Sequence, residues 1–174
     1  MNRIKRVTLK KYYALLYKLS PERYKRSYPK YLKKLGLGIS DTYYESGHGF
    51  IAPSVDFDGN DYSLIKIGDA TTISKDVIFL THDYSISKAL KTVDPSLSGR
   101  FLKPISVGKN SFIGMRAVLL PGTTLGDNVI VGAGAVVKGT FGDGVVLAGN
   151  PAKVLCTTEE FAKKHMELGD YIAL

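Results

Sequence analysis

Three imidazoles and one thiol are the side chains of this 174-residue sequence best suited to proton transfer or nucleophilic attack: His48, His82, His165 and Cys156. Imidazole titrates near neutral pH, so histidine is the usual general base. His82 stands apart because it sits at a break in the sequence pattern. Regular segments begin at Ile67, Ile73 and Phe79; Thr81-His82-Asp83-Tyr84-Ser85 follows, and order returns only at Val107. A base needs an orienting partner, and the adjacency of Asp83 does not by itself secure reach. A single cysteine allows no internal disulfide.

The pattern that must position His82 is clearest from Val107 to Gly142. Six-residue blocks are led by Val107, Ile113, Leu119, Leu125, Val131 and Val137. Glycine stands second at 108, 114, 126 and 132, and a small or β-branched residue stands fifth at Ser111, Ala117, Thr123, Val129 and Ala135. A period of six is neither the 3.6 of a helix nor the two of a strand; it is the hexapeptide repeat of a parallel β-helix. The aliphatic leads stack inward, glycine permits a turn that a Cβ would crowd, and the fifth residue fills a corner. Three blocks make one triangular coil in the left-handed form, a known exception to right-handed crossovers. Ile39, Glu45, Ile51 and Phe57 keep the same step, with Glu45 in an aliphatic place. The ten-residue step from Phe57 to Ile67 predicts a small loop at Asp58-Gly59-Asn60-Asp61. The 28 residues from Phe79 to Val107 predict an irregular excursion near 84–103, with Pro95, Ser96, Ser98 and Gly99 in support. Val145 to Val154 closes the barrel.

Outside the repeat, residues 1–38 hold twelve Lys/Arg and one acid, Glu22, for a net +11 within an overall +8. A helix is expected over 2–19, with Ile4, Leu9, Tyr12, Leu15, Leu16 and Leu19 on one face. A second runs from the Ser20-Pro21-Glu22 cap towards Lys34, with a break or kink at Pro29 and an end at Gly36 or Gly38. This basic hairpin caps the β-helix and also suits a membrane surface; nucleic acid is the poorer match. No apolar run spans a bilayer and no signal h-region is present, which favours a cytoplasmic protein. Thr157/Thr158-Glu159-Glu160 caps a last helix whose face includes Phe161, His165 and Leu168. The expected fold is an all-β core: a left-handed parallel β-helix over 39–155, a helical segment over 1–38 and a short C-terminal helix over 156–174.

The segments Ile67-Gly68-Asp69, Thr81-His82-Asp83-Tyr84-Ser85, Lys103-Pro104-Ile105, Ile113-Gly114, Leu120-Pro121-Gly122 and Ala148-Gly149-Asn150-Pro151-Ala152-Lys153 resemble the hexapeptide-repeat acetyltransferases. Within them they are most similar to the maltose/galactoside group and to the sugar O-acetyltransferases of surface-polysaccharide synthesis. The resemblance covers about residues 39–155. It implies that His82 deprotonates an acceptor hydroxyl that attacks the thioester of acetyl-CoA directly, without a metal. The family's acceptor-binding asparagine would fall near Ser54, with Asp56, Asp58 and Asn60 close by; no asparagine aligns there. Asp83 is a further acceptor-side candidate. Acetyl-CoA would lie between two subunits of a homotrimer, along Gly114, Met115, Ala133, Lys138, Gly139 and Lys153. Lys138 and Lys153 suit its phosphates, and Arg100 and Lys103 would reach in from a neighbour. Backbone amides such as that of Gly114 would take the oxyanion role. His48 and His165 are bystanders. The expected reaction is O-acetylation of a sugar hydroxyl in capsule or O-antigen synthesis. Alternatives are N-acetylation of an amino-sugar nucleotide and a non-catalytic assembly subunit. A γ-type carbonic anhydrase shares the fold but needs three histidines on zinc, and His48, His82 and His165 lack its closely spaced pair.

Overall fold

The computed structural model describes residues 3–45, 49–59 and 61–173, with side chains of the first helix from Val7 onward; His48 and Asn60 lie outside the described residues. The repeat folds into three parallel sheets of very short strands wound into a prism. One face stacks the strands at Phe50, Thr72, Phe112, Ile130 and Val145. The second stacks those at Asp56, Ile78, Val118 and Val136, and the third those at Ile65, Ile105, Thr124 and Thr140. The architecture is the left-handed parallel β-helix. Ile67, Ile73, Phe79, Ile113, Leu119 and Val131 point inward and are buried.

The strand register dates each irregularity. Ser106 pairs with Thr124, Phe112 with Ile130 and Val118 with Val136, each eighteen residues on. Asp56 pairs with Ile78, twenty-two on, so four extra residues leave the coil after Phe57. Ile78 pairs with Val118, forty on, so twenty-two extra leave after Phe79. Thr124 pairs with Thr140, only sixteen on. The sixth block is therefore short, and Phe141 follows Val137 as the next inward residue.

The first coil differs from the expected step. Gly38 bridges Lys66, which sets Ile39 beside Ile67, while Ile51 pairs with Ile73. The twelve residues from Ile39 to Ile51 thus cover one face-to-face step of six. The surplus includes the turn at 41–45, where Glu45 is exposed and no coil position. Tyr43 is buried there instead, its hydroxyl donating to the Thr71 carbonyl.

Corners have a division of labour that the repeat alone misassigns. The residue with positive φ is the fourth of the block: Ala70, Asp76, Asn110, Arg116, Gly122, Asn128 and Gly134. The second-place glycines are needed for close approach. A Cβ on Gly68 would lie 2.6 Å from the Gly108 carbonyl carbon one coil on, a distance no real contact shows. The fifth-place residues fill the corners as expected, with Thr71, Ser111, Ala117, Thr123, Val129 and Ala135 all buried.

Helices α1 (Arg3–Leu19) and α2 (Pro21–Lys34) pack on the first coil. Pro29 lies inside α2 without ending it, because Tyr24, Tyr28, Pro29 and Leu32 are all buried and hold the helix continuous. Ser20 occupies the cap position, but its side chain makes no cap hydrogen bond. The inward face of α1 is Tyr13, Leu16 and Tyr17; Tyr12, Leu15 and Leu19, expected on that face, are exposed. The excursion after Phe79 is also more ordered than expected. His82–Asp83 and Phe101–Leu102 form an antiparallel stem, and α3 (Ser85–Val93) lies between them. At the other end Val145–Gly149 pairs antiparallel with Ala152–Thr157. Thr157 and Glu160 then form a reciprocal capping box on α4 (Thr158–Leu168).

Candidate active site

Every coil turns from the second face to the third along one edge of the prism. Asp58 and Gly59 leave that edge in the first coil, Thr81 and His82 in the second, Leu120-Pro121-Gly122 in the third and Lys138-Gly139 in the fourth. This follows from the registers of Phe57, Phe79, Leu119 and Val137. The insertions after Phe57 and Phe79 thus leave from the same edge, on consecutive rungs, which is what brings Asp58 to His82.

The contact is close and specific. His82 Nδ1 is hydrogen-bonded to Asp58 Oδ2. The same oxygen accepts the backbone N–H groups of Thr81 and His82, each at 3.0 Å, and the Thr81 hydroxyl at 3.3 Å. A carboxylate oxygen surrounded by donors acts as an acceptor, so Nδ1 is the donor of this bond and, in the neutral ring, Nε2 carries the lone pair. The ring retains 33% exposure and lines a cleft of about 440 Å³ with Gly59, Asp61, Leu64, Thr81, Tyr84, Arg100 and Leu102. Tyr84 stands edge-on to the imidazole at 5.5 Å. Its hydroxyl accepts from Arg100 at 3.0 Å, which orients the guanidinium at the rim.

Asp83 points elsewhere. Its carboxylate accepts the Ser85 N–H at 2.7 Å and so caps the start of α3. That bond holds its carboxyl below the usual carboxylate range, helped by the Ser85 hydroxyl and the charge of Lys138. It lines a separate groove with Phe101, Lys103, Leu120, Pro121 and Lys138. Lys138 Nζ lies 5.9 Å from the Phe101 ring centroid. Two lysines, an aromatic face and a proline suit a ligand with phosphates and a planar base.

The remaining sequence candidates are spread over the surface. Ser54 accepts the Asp76 N–H, and Asp56 meets Lys10 Nζ at 3.9 Å; neither touches His82. Gly139 sits beside Lys138 with φ 119°. Gly114, Met115 and Ala133 stack along a different edge, between the first and second faces. The Gly114 N–H is engaged by the Val131 carbonyl at 2.8 Å, so it is not available to an oxyanion. Lys153 pairs with Ala148 in the closing hairpin and is exposed. His165 bonds to Asp170 beyond the end of α4. Among the described residues no group of three or more His, Cys, Asp or Glu is arranged to hold a metal ion. The sequence named Asp58 only as an acceptor-side candidate. The insertion of four residues after Phe57 was the signal that it leaves the prism at the rung next to His82.

Residues 104–138 match the family described as the hexapeptide repeat of succinyl-transferase. Protein CapG of Staphylococcus aureus is 40% identical over 113 residues, covering 65% of this chain and 64% of that protein. A putative lipopolysaccharide biosynthesis O-acetyl transferase, WbbJ of Escherichia coli K12, is 30% identical over 120 residues, covering 63% and 61%. The chain thus spans somewhat under two thirds of the length of these relatives. A solved galactoside acetyltransferase in complex with coenzyme A superposes with a TM-score of 0.52 at 22% identity, covering 80% of this chain and 83% of that one. The repeat, the prism and these relatives agree: the chain is similar to the hexapeptide-repeat acetyltransferases.

Proposed function

We propose that the protein transfers an acetyl group from acetyl-CoA to a hydroxyl of a saccharide, with His82 as general base. The observation that supports this reading is the Asp58–His82 pair, which in the neutral ring directs the proton to Nδ1 and the lone pair to Nε2, beside a cleft wide enough for a sugar. Nε2 takes the hydroxyl proton as the acceptor oxygen attacks the thioester carbonyl carbon. The new C–O bond forms, the C–S bond breaks, and the imidazolium returns its proton to the departing thiolate. Asp58 holds the ring and stabilises its transient positive charge. Lys103, Lys138 and Phe101 suit the phosphates and base of the donor.

The sequence candidates for the donor groove fall on both edges of one prism face: Gly114, Met115 and Ala133 on one, Lys138 and Gly139 on the other. Two copies packed side by side would bring the two sets together, which favours the homotrimer and a groove shared between subunits. The relative WbbJ, a putative lipopolysaccharide biosynthesis O-acetyl transferase, supports an acceptor belonging to a surface polysaccharide.

Release of free thiol from acetyl-CoA over a panel of sugars and amino sugars tests the reading. His82→Ala should fold normally and lower turnover about 10²–10⁴-fold. A fall below fivefold ends the base assignment. Activity confined to amines redirects it to N-acetylation, and no turnover with any acceptor favours an assembly role.

A further inference from the structure

The outer face of α1 carries an apolar strip that nothing among the described residues covers. Tyr12, Leu15 and Leu19 are 52%, 55% and 74% exposed. Their spacing aligns them along one side of the helix. The inner side, Tyr13, Leu16 and Tyr17, already packs on the first coil, so the strip is surplus to the fold. Lys11 and Lys18 lie one row over from Leu15, and both are exposed. The surrounding segment, residues 1–38, carries twelve cations against Glu22 alone. That single acid is engaged by the Tyr44 hydroxyl at 2.6 Å and Lys25 at 3.0 Å.

Two chemistries therefore meet on one helix side: large apolar groups that gain by leaving water, and lysines whose long stems let the ammonium stay at a polar boundary. A nucleic acid would use the cations and gain nothing from Leu15 and Leu19. A neighbouring protein would need acids to match the lysines and an apolar groove to match the strip. An anionic bilayer supplies both: phosphate headgroups for the charges, acyl chains for the leucines. We infer that α1 lies in the headgroup plane of an anionic membrane, with Tyr12, Leu15 and Leu19 directed into it.

The placement of α1 has a consequence for the site. Lys10 reaches Asp56 at 3.9 Å, two residues before the Asp58 that holds His82. The helix that meets lipid thus lies beside the strand leading into the cleft, which suits a saccharide acceptor carried on a lipid. That consequence rests on the transferase reading; the docking itself does not.

Cosedimentation of the full chain with phosphatidylglycerol-containing vesicles tests the docking without any activity. The chain should bind these and not phosphatidylcholine alone, and binding should fall as salt rises. Leu15→Asp with Leu19→Asp should abolish it, and Lys11→Gln with Lys18→Gln should weaken it at least tenfold. All four residues are exposed, so the circular dichroism of the variants should match the parent. Absence of anionic-vesicle binding, or binding indifferent to both double variants, overturns the inference. So does a change of oligomeric mass in the leucine variant, which would make the strip a contact between copies, or vesicle binding displaced only by a nucleic acid.

Discussion

At the scale of single residues, the transferase reading depends on which nitrogen of His82 carries the proton. In the neutral ring Asp58 favours Nδ1, through one oxygen that also binds the backbone of Thr81 and His82. The loop and the ring are therefore positioned by the same atom. Asp58→Asn keeps the shape but replaces an obligate acceptor with an amide that can also present donors, so the imidazole is no longer held in one tautomer. We expect kcat to fall at least about a hundredfold, with KM for acetyl-CoA nearly unchanged because the lysine-lined groove is separate. Steady-state kinetics with both substrates varied checks this split. His82 was legible in the sequence because it stands where the repeat breaks. Its partner was not, because twenty-four residues separate the two and neighbouring carboxylates looked equivalent. Only the rung on which each insertion leaves distinguishes Asp58, which faces the imidazole, from Asp56, which faces Lys10, and Asp83, which caps α3.

Among the elements, the helical hairpin is attached to the prism by tyrosines. The Tyr24 hydroxyl donates to the Ile51 carbonyl at 2.6 Å, and in the turn at 41–45 that follows the hairpin Tyr43 donates to the Thr71 carbonyl. Burial pushes the phenols of Tyr24, Tyr28 and Tyr43 far above the usual tyrosine range, and neighbouring tyrosines or Asp69 add to the shift. Their folded-state values exceed the unfolded ones, so their contribution is complete below about pH 10. It is lost progressively as pH rises above that value towards the folded-state ones. Urea unfolding should therefore show the same stability at pH 8 and 9 and a steep decline above pH 10. Tyrosinate absorbance of these three should appear with unfolding and not before it. The first coil they rest on also shows why a sequence pattern can mislead. The insertion between Ile39 and Ile51 has the length of one repeat, so it preserves the period while leaving the coil, and Glu45 falls on the count without falling on a face. On α1 the leucines suggested the correct helix but the wrong inner side. The buried side is built from Tyr13 and Tyr17 with Leu16, and a hydrophobicity pattern ranks a leucine above a tyrosine whatever each one packs on.

The molecule as a whole is a stack in which each coil is the template for the next, so a defect on one rung is felt by its neighbours. The positions of its glycines allow a direct comparison of two kinds of corner. Gly134 has φ 71°, and a Cβ there would meet nothing within 4 Å. Ala70 and Arg116 already adopt that conformation at the equivalent place, so Gly134→Ala should cost about 1 kcal/mol. Gly108 has no such φ, yet its Cβ would press into the Gly126 backbone on the following coil and into the Asp127 carboxylate. That carboxylate accepts the Lys109 N–H at 2.6 Å and cannot withdraw freely. On the preceding coil the Gly108 carbonyl and the Lys109 nitrogen already lie close against Gly68, so the strain has no free direction in which to relax. Gly108→Ala should therefore cost about 3 kcal/mol or more, several times the Gly134→Ala effect, although both exchange the same atoms. Chemical denaturation of the two variants side by side measures the difference. Equal losses would mean that backbone conformation, and not the distance between coils, sets the glycine positions of the repeat.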